Sequence, residues 1–178
     1  MTTVSIVSPE DQSVTFVELF FDLVFVFSIT QIVGILHHGI SLGTVAQAVL
    51  VFWLVWWAWT QFTWSLNPAN TDHPHIQLAT LAATAVAFFM AVSVPEAFEG
   101  GALWFAGPYV LVRIIGLVVY MWVSAGDESQ SQAVRTFALV SVGGLAAVLI
   151  GAVVGGDQLY YFWAVSYTHL TLPTSSVM

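Results

Sequence analysis

Cysteine is absent from the 178-residue chain, which removes disulfides, thiolate nucleophiles and cysteine-held metals from consideration. Basic residues are almost absent as well, since Arg113 and Arg135 stand alone against ten carboxylates. A face that grips nucleic acid must gather several Lys or Arg to neutralise phosphates, so DNA and RNA are excluded as partners. Charge of either sign makes up only 7% of the residues, against about 25% in an ordinary soluble domain, and too few polar groups remain to clothe a globule in water. No nucleophile elbow, P-loop or dinucleotide fingerprint is present, and no cofactor is implied. What fills the chain instead is apolar: 58% hydrophobic residues, with 13 Phe, 8 Trp and 5 Tyr. The natural solvent is lipid.

A helix that crosses the roughly 30 Å of membrane hydrocarbon needs about 20 predominantly apolar residues. Five such runs are present, Thr15 to His38, Leu42 to Leu66, His75 to Phe98, Ala102 to Ala125 and Ala133 to Gly155. They are apolar around nearly their whole circumference, without the alternation a spanning strand requires, so the expected fold is an all-α multi-pass transmembrane bundle. A sixth apolar stretch begins at Leu159 and is too short to span by Val165. Residues 1–14 form a polar segment containing Glu10 and Asp11 but no Lys or Arg, so the positive region of a secretory signal is missing and the first helix is expected to be retained. Residues 166–178, rich in Thr and Ser with Pro173, look like translated adapter or cloning sequence. A genuine short polar C-terminus is the alternative reading. Arg135, read by the positive-inside rule, would place the N-terminus in the cytoplasm.

Ionisable side chains inside spans are expensive, about 2.5 to 3.5 kcal/mol each on insertion scales, and normally face the bundle interior with a partner. The first span holds two of them. Glu18 and Asp22 lie four residues apart and therefore on one helix face, while Gln31 lies on the other side. Arg113 sits near the middle of the fourth span, about 16 Å from one end, and Asp22 about 10 Å from the opposite membrane face, so an arginine side chain bridges the difference in depth. The economical expectation is a bidentate Arg113–Asp22 pair with Glu18 as second acceptor, bordered by Tyr109 and Tyr120. Two plainer readings stand beside it: Glu18 capping and hydrating the helix start, and the ion pair serving packing alone.

Other features have ordinary explanations. Trp53, Trp57, Thr60 and Trp64 form one stripe of the second span with Gln61 beside it, a pattern that suits packing or interfacial anchoring better than a cation cage. Small residues recur every fourth position at Ala79, Ala83, Ala87 and Ala91, and again at Gly143, Ala147, Gly151 and Gly155. Such faces let helices approach closely, within the chain or between copies, and Gly151 with Gly155 would serve a homo-oligomer. Asp72, His73 and His75 fall together in a turn-rich loop, yet Pro74 prevents a helical ligand pair, and no metal site is expected.

The run Val17-Glu18-Leu19-Phe20-Phe21-Asp22-Leu23-Val24-Phe25-Val26-Phe27-Ser28-Ile29-Thr30-Gln31 resembles the opening helix of the bacterial low temperature requirement A family. Trp56-Trp57-Ala58-Trp59, Asn70-Thr71-Asp72, Pro95-Glu96-Ala97-Phe98 and Tyr109-Val110-Leu111-Val112-Arg113 look like that family's later signatures in the same order. The resemblance covers about residues 14 to 125. It implies a multi-pass protein of the bacterial inner membrane, with Glu18, Asp22, Asp72, Glu96 and Arg113 at the family's polar positions. It also implies that this chain corresponds to the N-terminal portion of longer members.

The functional expectation is transport or sensing of a small solute or ion through a polar centre of Glu18, Asp22 and Arg113, with membrane lipid as surroundings. A non-catalytic, stress-related membrane scaffold built on the small-residue faces is the alternative. An enzyme acting on lipid ranks last, because the carboxylates lack a recognisable nucleophile or metal set.

Overall fold

In the computed structural model the described residues are 5–7, 14–37 and 39–171. Glu10, Asp11, His38 and residues 172–178 lie outside them. The described chain forms six α-helices: α1 (Phe16–Leu36), α2 (Leu42–Leu66), α3 (Pro74–Val92), α4 (Ala102–Val123), α5 (Glu128–Val154) and α6 (Gly156–Thr171), with a short 3₁₀ turn at Ser124–Gly126. Five spans, α1 to α4 and α5, are long and apolar enough to cross a bilayer, α4 being counted with its 3₁₀ extension to Gly126. Only helices satisfy their own backbone in lipid, which is why so apolar a chain folds this way.

Three boundaries differ from the expected ones, each for a local reason. Helix α3 stops at Val92, because Ser93 turns its hydroxyl onto the Phe89 carbonyl and Pro95 disfavours helix in the residue before it. Helix α5 begins five residues before Ala133, because Asp127 caps it: one carboxylate oxygen accepts from the Ser129 and Gln130 backbone N–H groups and from the Ser129 hydroxyl. Helix α6 continues beyond Val165 to Thr171, with the Ser166 hydroxyl bonded back to the Trp163 carbonyl.

Packing arranges α1 to α4 as a diamond. Helix α1 packs on α2 and α3, α4 packs on the same two, and α2 and α3 therefore stand between α1 and α4. Helix α5 lies against the outer side of α4, and α6 against α5. The interior is lined by Phe21, Phe25, Leu54, Phe62, Met90, Phe105 and Tyr109, all buried. Ala83, Ala87 and Ala91 are fully buried on α3, so its small-residue face is used inside the chain. The same holds at Gly151 of α5, where a Cβ would come within 2.8 Å of the Phe162 Cβ and 3.0 Å of the Trp163 ring of α6. Trp163 completes that contact by donating its indole N–H to the Val148 carbonyl at 3.0 Å.

Candidate functional site

The start of α1 is built by a capping box. The Thr15 hydroxyl accepts from the Glu18 N–H at 3.4 Å, while the Glu18 carboxylate accepts from the Thr15 N–H at 2.7 Å and from its hydroxyl at 2.8 Å. Glu18 is thereby committed to the helix end, the plainer of its two expected roles.

Asp22, one turn further along, is half-buried, and its Oδ1 accepts the indole N–H of Trp59 on α2 at 2.7 Å. A bond to an ionised acceptor is about twice as strong as a neutral one, so Trp59 anchors the carboxylate firmly. Two cavities meet at this residue. One, of about 380 Å³, is a polar crevice whose walls include Glu18, Asp22, Thr63 and Asn67. The other, of about 340 Å³, is an apolar groove between α1 and α2 lined by Asp22, Phe25, Val55, Trp56 and Trp59 among others. Asp22 is common to both.

Arg113 lies elsewhere. Its guanidinium is fully buried in α4, donating from Nη1 to the Trp57 carbonyl over a long 3.4 Å, with the Trp57 ring centroid 6.0 Å from Cζ. The expected Arg113–Asp22 ion pair is not formed. Arg113 Nε and Nη2 have no hydrogen-bond partner among the described residues, and Asp22 is bonded to Trp59. The reason is the position of α2. Trp57 and Trp59 are two residues apart, about 200° around the helix, so Asp22 and Arg113 approach α2 from opposite sides at nearly the same depth. The Trp56-Trp57-Ala58-Trp59 spacing held this signal.

The remaining expected positions are dispersed. Gln31 is half-buried near the far end of α1, and Tyr120 is half-buried on α4. Asp72 is exposed, its N–H bonded to the Asn70 side chain at 3.1 Å in the loop after α2, and Asn70 ties that loop to Ser5 and Ile6. Glu96 is exposed, and its carbonyl closes the turn before α4 by accepting from Glu99 and Gly101. His73 caps α3, its Nδ1 accepting from the His75 N–H at 3.3 Å, and both imidazoles stand edge-on to Trp122. Among the described residues no three His, Asp or Glu side chains gather into a metal-holding group.

Five apolar spans around a closed, aromatic-rich interior define a multi-pass helical membrane protein. The chain belongs to the bacterial low temperature requirement A protein (LtrA) family, which matches residues 13–174. Over 100 residues it is 38% identical to an uncharacterized protein of Rhizobium meliloti (strain 1021), a stretch covering 56% of this chain. The same stretch spans 24% of that relative, so the chain corresponds to a minor part of its length. No solved structure matches significantly.

Proposed function

We propose that this protein moves or senses a small solute or ion across the bacterial inner membrane, with Asp22 as its cation- or proton-responsive group. The observation that carries this reading is the position of Asp22 at the junction of a polar crevice and a deeper apolar groove, held there by Trp59. A carboxylate in a span is costly unless water or a donor reaches it. Here Trp59 supplies the donor, and the crevice that Glu18, Thr63 and Asn67 share with Asp22 would give water its approach. Protonation or cation binding at Asp22 weakens its charge-assisted bond to Trp59, and the α1–α2 contact is the element that such a change would loosen. Glu18, fixed by the capping box, gives the crevice a negative rim and concentrates cations there.

The test is flux in proteoliposomes containing the full-length family protein, wild type beside Asp22→Asn, with proton, potassium and sodium gradients imposed in turn. The reading predicts a flux that falls at least tenfold in the variant. Equal flux in the two proteins removes Asp22 from the mechanism.

A further inference from the structure

The α2–α4 contact contains a set of buried hydrogen-bonding groups that the Asp22 crevice does not use. Trp57 and Gln61 are one turn apart on α2, and Tyr109, Arg113 and Gly116 follow one another along a single face of α4. The two faces touch: Arg113 reaches the Trp57 carbonyl, and a Cβ at Gly116 would lie 2.8 Å from the Gln61 Nε2. Five donor-bearing atoms here are buried and lack a hydrogen-bond partner among the described residues, namely Arg113 Nε and Nη2, Trp57 Nε1, Tyr109 Oη and Gln61 Nε2. Arg113 and Tyr109 are both fully buried, and Gln61 is 1% exposed. Native interiors leave very few such groups unmet, and an unpaired buried guanidinium is among the most expensive, because it does not shed its charge.

The chemistry of the unmet groups is one-sided. Donors predominate in this set, whose unmet acceptors among the described residues are the Gln61 carbonyl and the Tyr109 oxygen, and the set carries one fixed positive charge. Among the described residues no carboxylate answers it, since Asp22 and Glu18 are bonded on the far side of α2 and Asp127 caps α5. A cation is repelled by such a set, and an uncharged solute leaves the guanidinium uncompensated. We propose that the α2–α4 contact is a binding site for a small monovalent anion, of halide or nitrate size, held by Arg113, Tyr109, Trp57 and Gln61. The site goes beyond the Asp22 reading and does not depend on it. The anion supplies the counter-charge that the described residues withhold, and it ties α2 to α4 at mid-membrane.

The test is thermal unfolding of the 178-residue chain in detergent, purified in sodium gluconate and titrated with sodium chloride, bromide or nitrate at fixed ionic strength. A bound anion raises the melting temperature in a saturable way, because it stabilises only the folded state. The expected result is such a rise in wild type, its abolition in Arg113→Gln, and half-saturation shifted about fivefold higher in Tyr109→Phe, as loss of one neutral hydrogen bond implies. Identical melting in chloride and gluconate, the behaviour of a site filled by water alone, overturns the proposal. So does an equal rise in Arg113→Gln. Should that variant fail to fold, an unshifted titration in Tyr109→Phe overturns it. Failure of the flux experiment with an intact anion response removes the Asp22 reading alone, and the converse pair of results removes the anion site alone.

Discussion

The Trp59 indole holds the Asp22 carboxylate at 2.7 Å on one side of α2, two residues from the Trp57 carbonyl that receives Arg113 on the other. Trp59→Phe keeps the aromatic bulk and deletes the donor. Because the acceptor is a partly buried carboxylate, the expected loss is about 1.5 to 3 kcal/mol of stability. Asp22→Asn, which keeps an acceptor for the indole, is expected to lose less. Unfolding in mixed micelles by increasing SDS measures both, and a Trp59→Phe variant as stable as wild type contradicts the assignment.

Gly116 and Gly151 are positions where the helix backbone passes too close for a side chain. At Gly116 an added methyl meets the Gln61 amide at 2.8 Å and the Phe62 ring at 3.0 Å, and at Gly151 it meets the Phe162 Cβ at 2.8 Å. Overpacking of this kind costs about 1 to 3 kcal/mol. Gly151→Ala is expected to loosen α6 from α5, seen as faster protease cleavage in the α5–α6 region. Gly116→Ala is expected to lower the melting temperature without that cleavage, since its clash is with Gln61 and Phe62 of α2. Gly143→Ala, where no atom lies within 4 Å of the added methyl, is the control and should be neutral.

Asp127 gives α5 a pH-dependent end. Hydrogen bonds from the Ser129 side chain, then the Gln130 and Ser129 N–H groups, outweigh desolvation and hold its carboxyl below the usual carboxylate range. A depressed folded-state pKa means that the cap contributes fully above the unfolded value, about 3.9, and is lost as pH falls through the lower folded value. Asp127→Ala is therefore expected to melt below wild type at pH 7, and the gap should close at an acid pH below both the unfolded and the folded value. Circular dichroism melts at the two pH values check this, and a constant gap contradicts the cap.

Glu18 acts through the capping box, which a glutamine can also form. Glu18→Gln is expected to keep most of the stability, whereas Glu18→Ala should lose about 1 kcal/mol. Flux measured on the same variants separates structure from charge. If the negative rim matters, Glu18→Gln lowers cation flux while leaving the melting temperature almost unchanged.

Much of this is legible in the sequence. Hydropathy marked five spans because lipid forces long apolar runs into helices, and the α2 limits, Leu42 to Leu66, coincide with those expected. Hydropathy does not mark the start of α5 because a polar first turn reads as loop, although Asp127 followed by Glu128 carries an N-terminal signature. At the site, depth was readable and azimuth was not. Counting residues puts Asp22 and Arg113 at depths that one arginine side chain can bridge, but nothing in a hydrophobic run says which helix stands between two others. Trp57, Trp59 and Gln61 were visible as members of a crowded aromatic helix. Their role as separate partners of the two charges emerged only once α2 was seen between α1 and α4.

The claim on which the account turns is that Asp22 and Arg113 belong to two separate sites divided by α2. A double-mutant cycle on unfolding free energy, with Asp22→Asn, Arg113→Gln and both together, measures their coupling directly. Separate sites predict additivity to within about 0.3 to 0.5 kcal/mol. A favourable coupling energy above about 1 kcal/mol, the mark of two charges in contact, would contradict it.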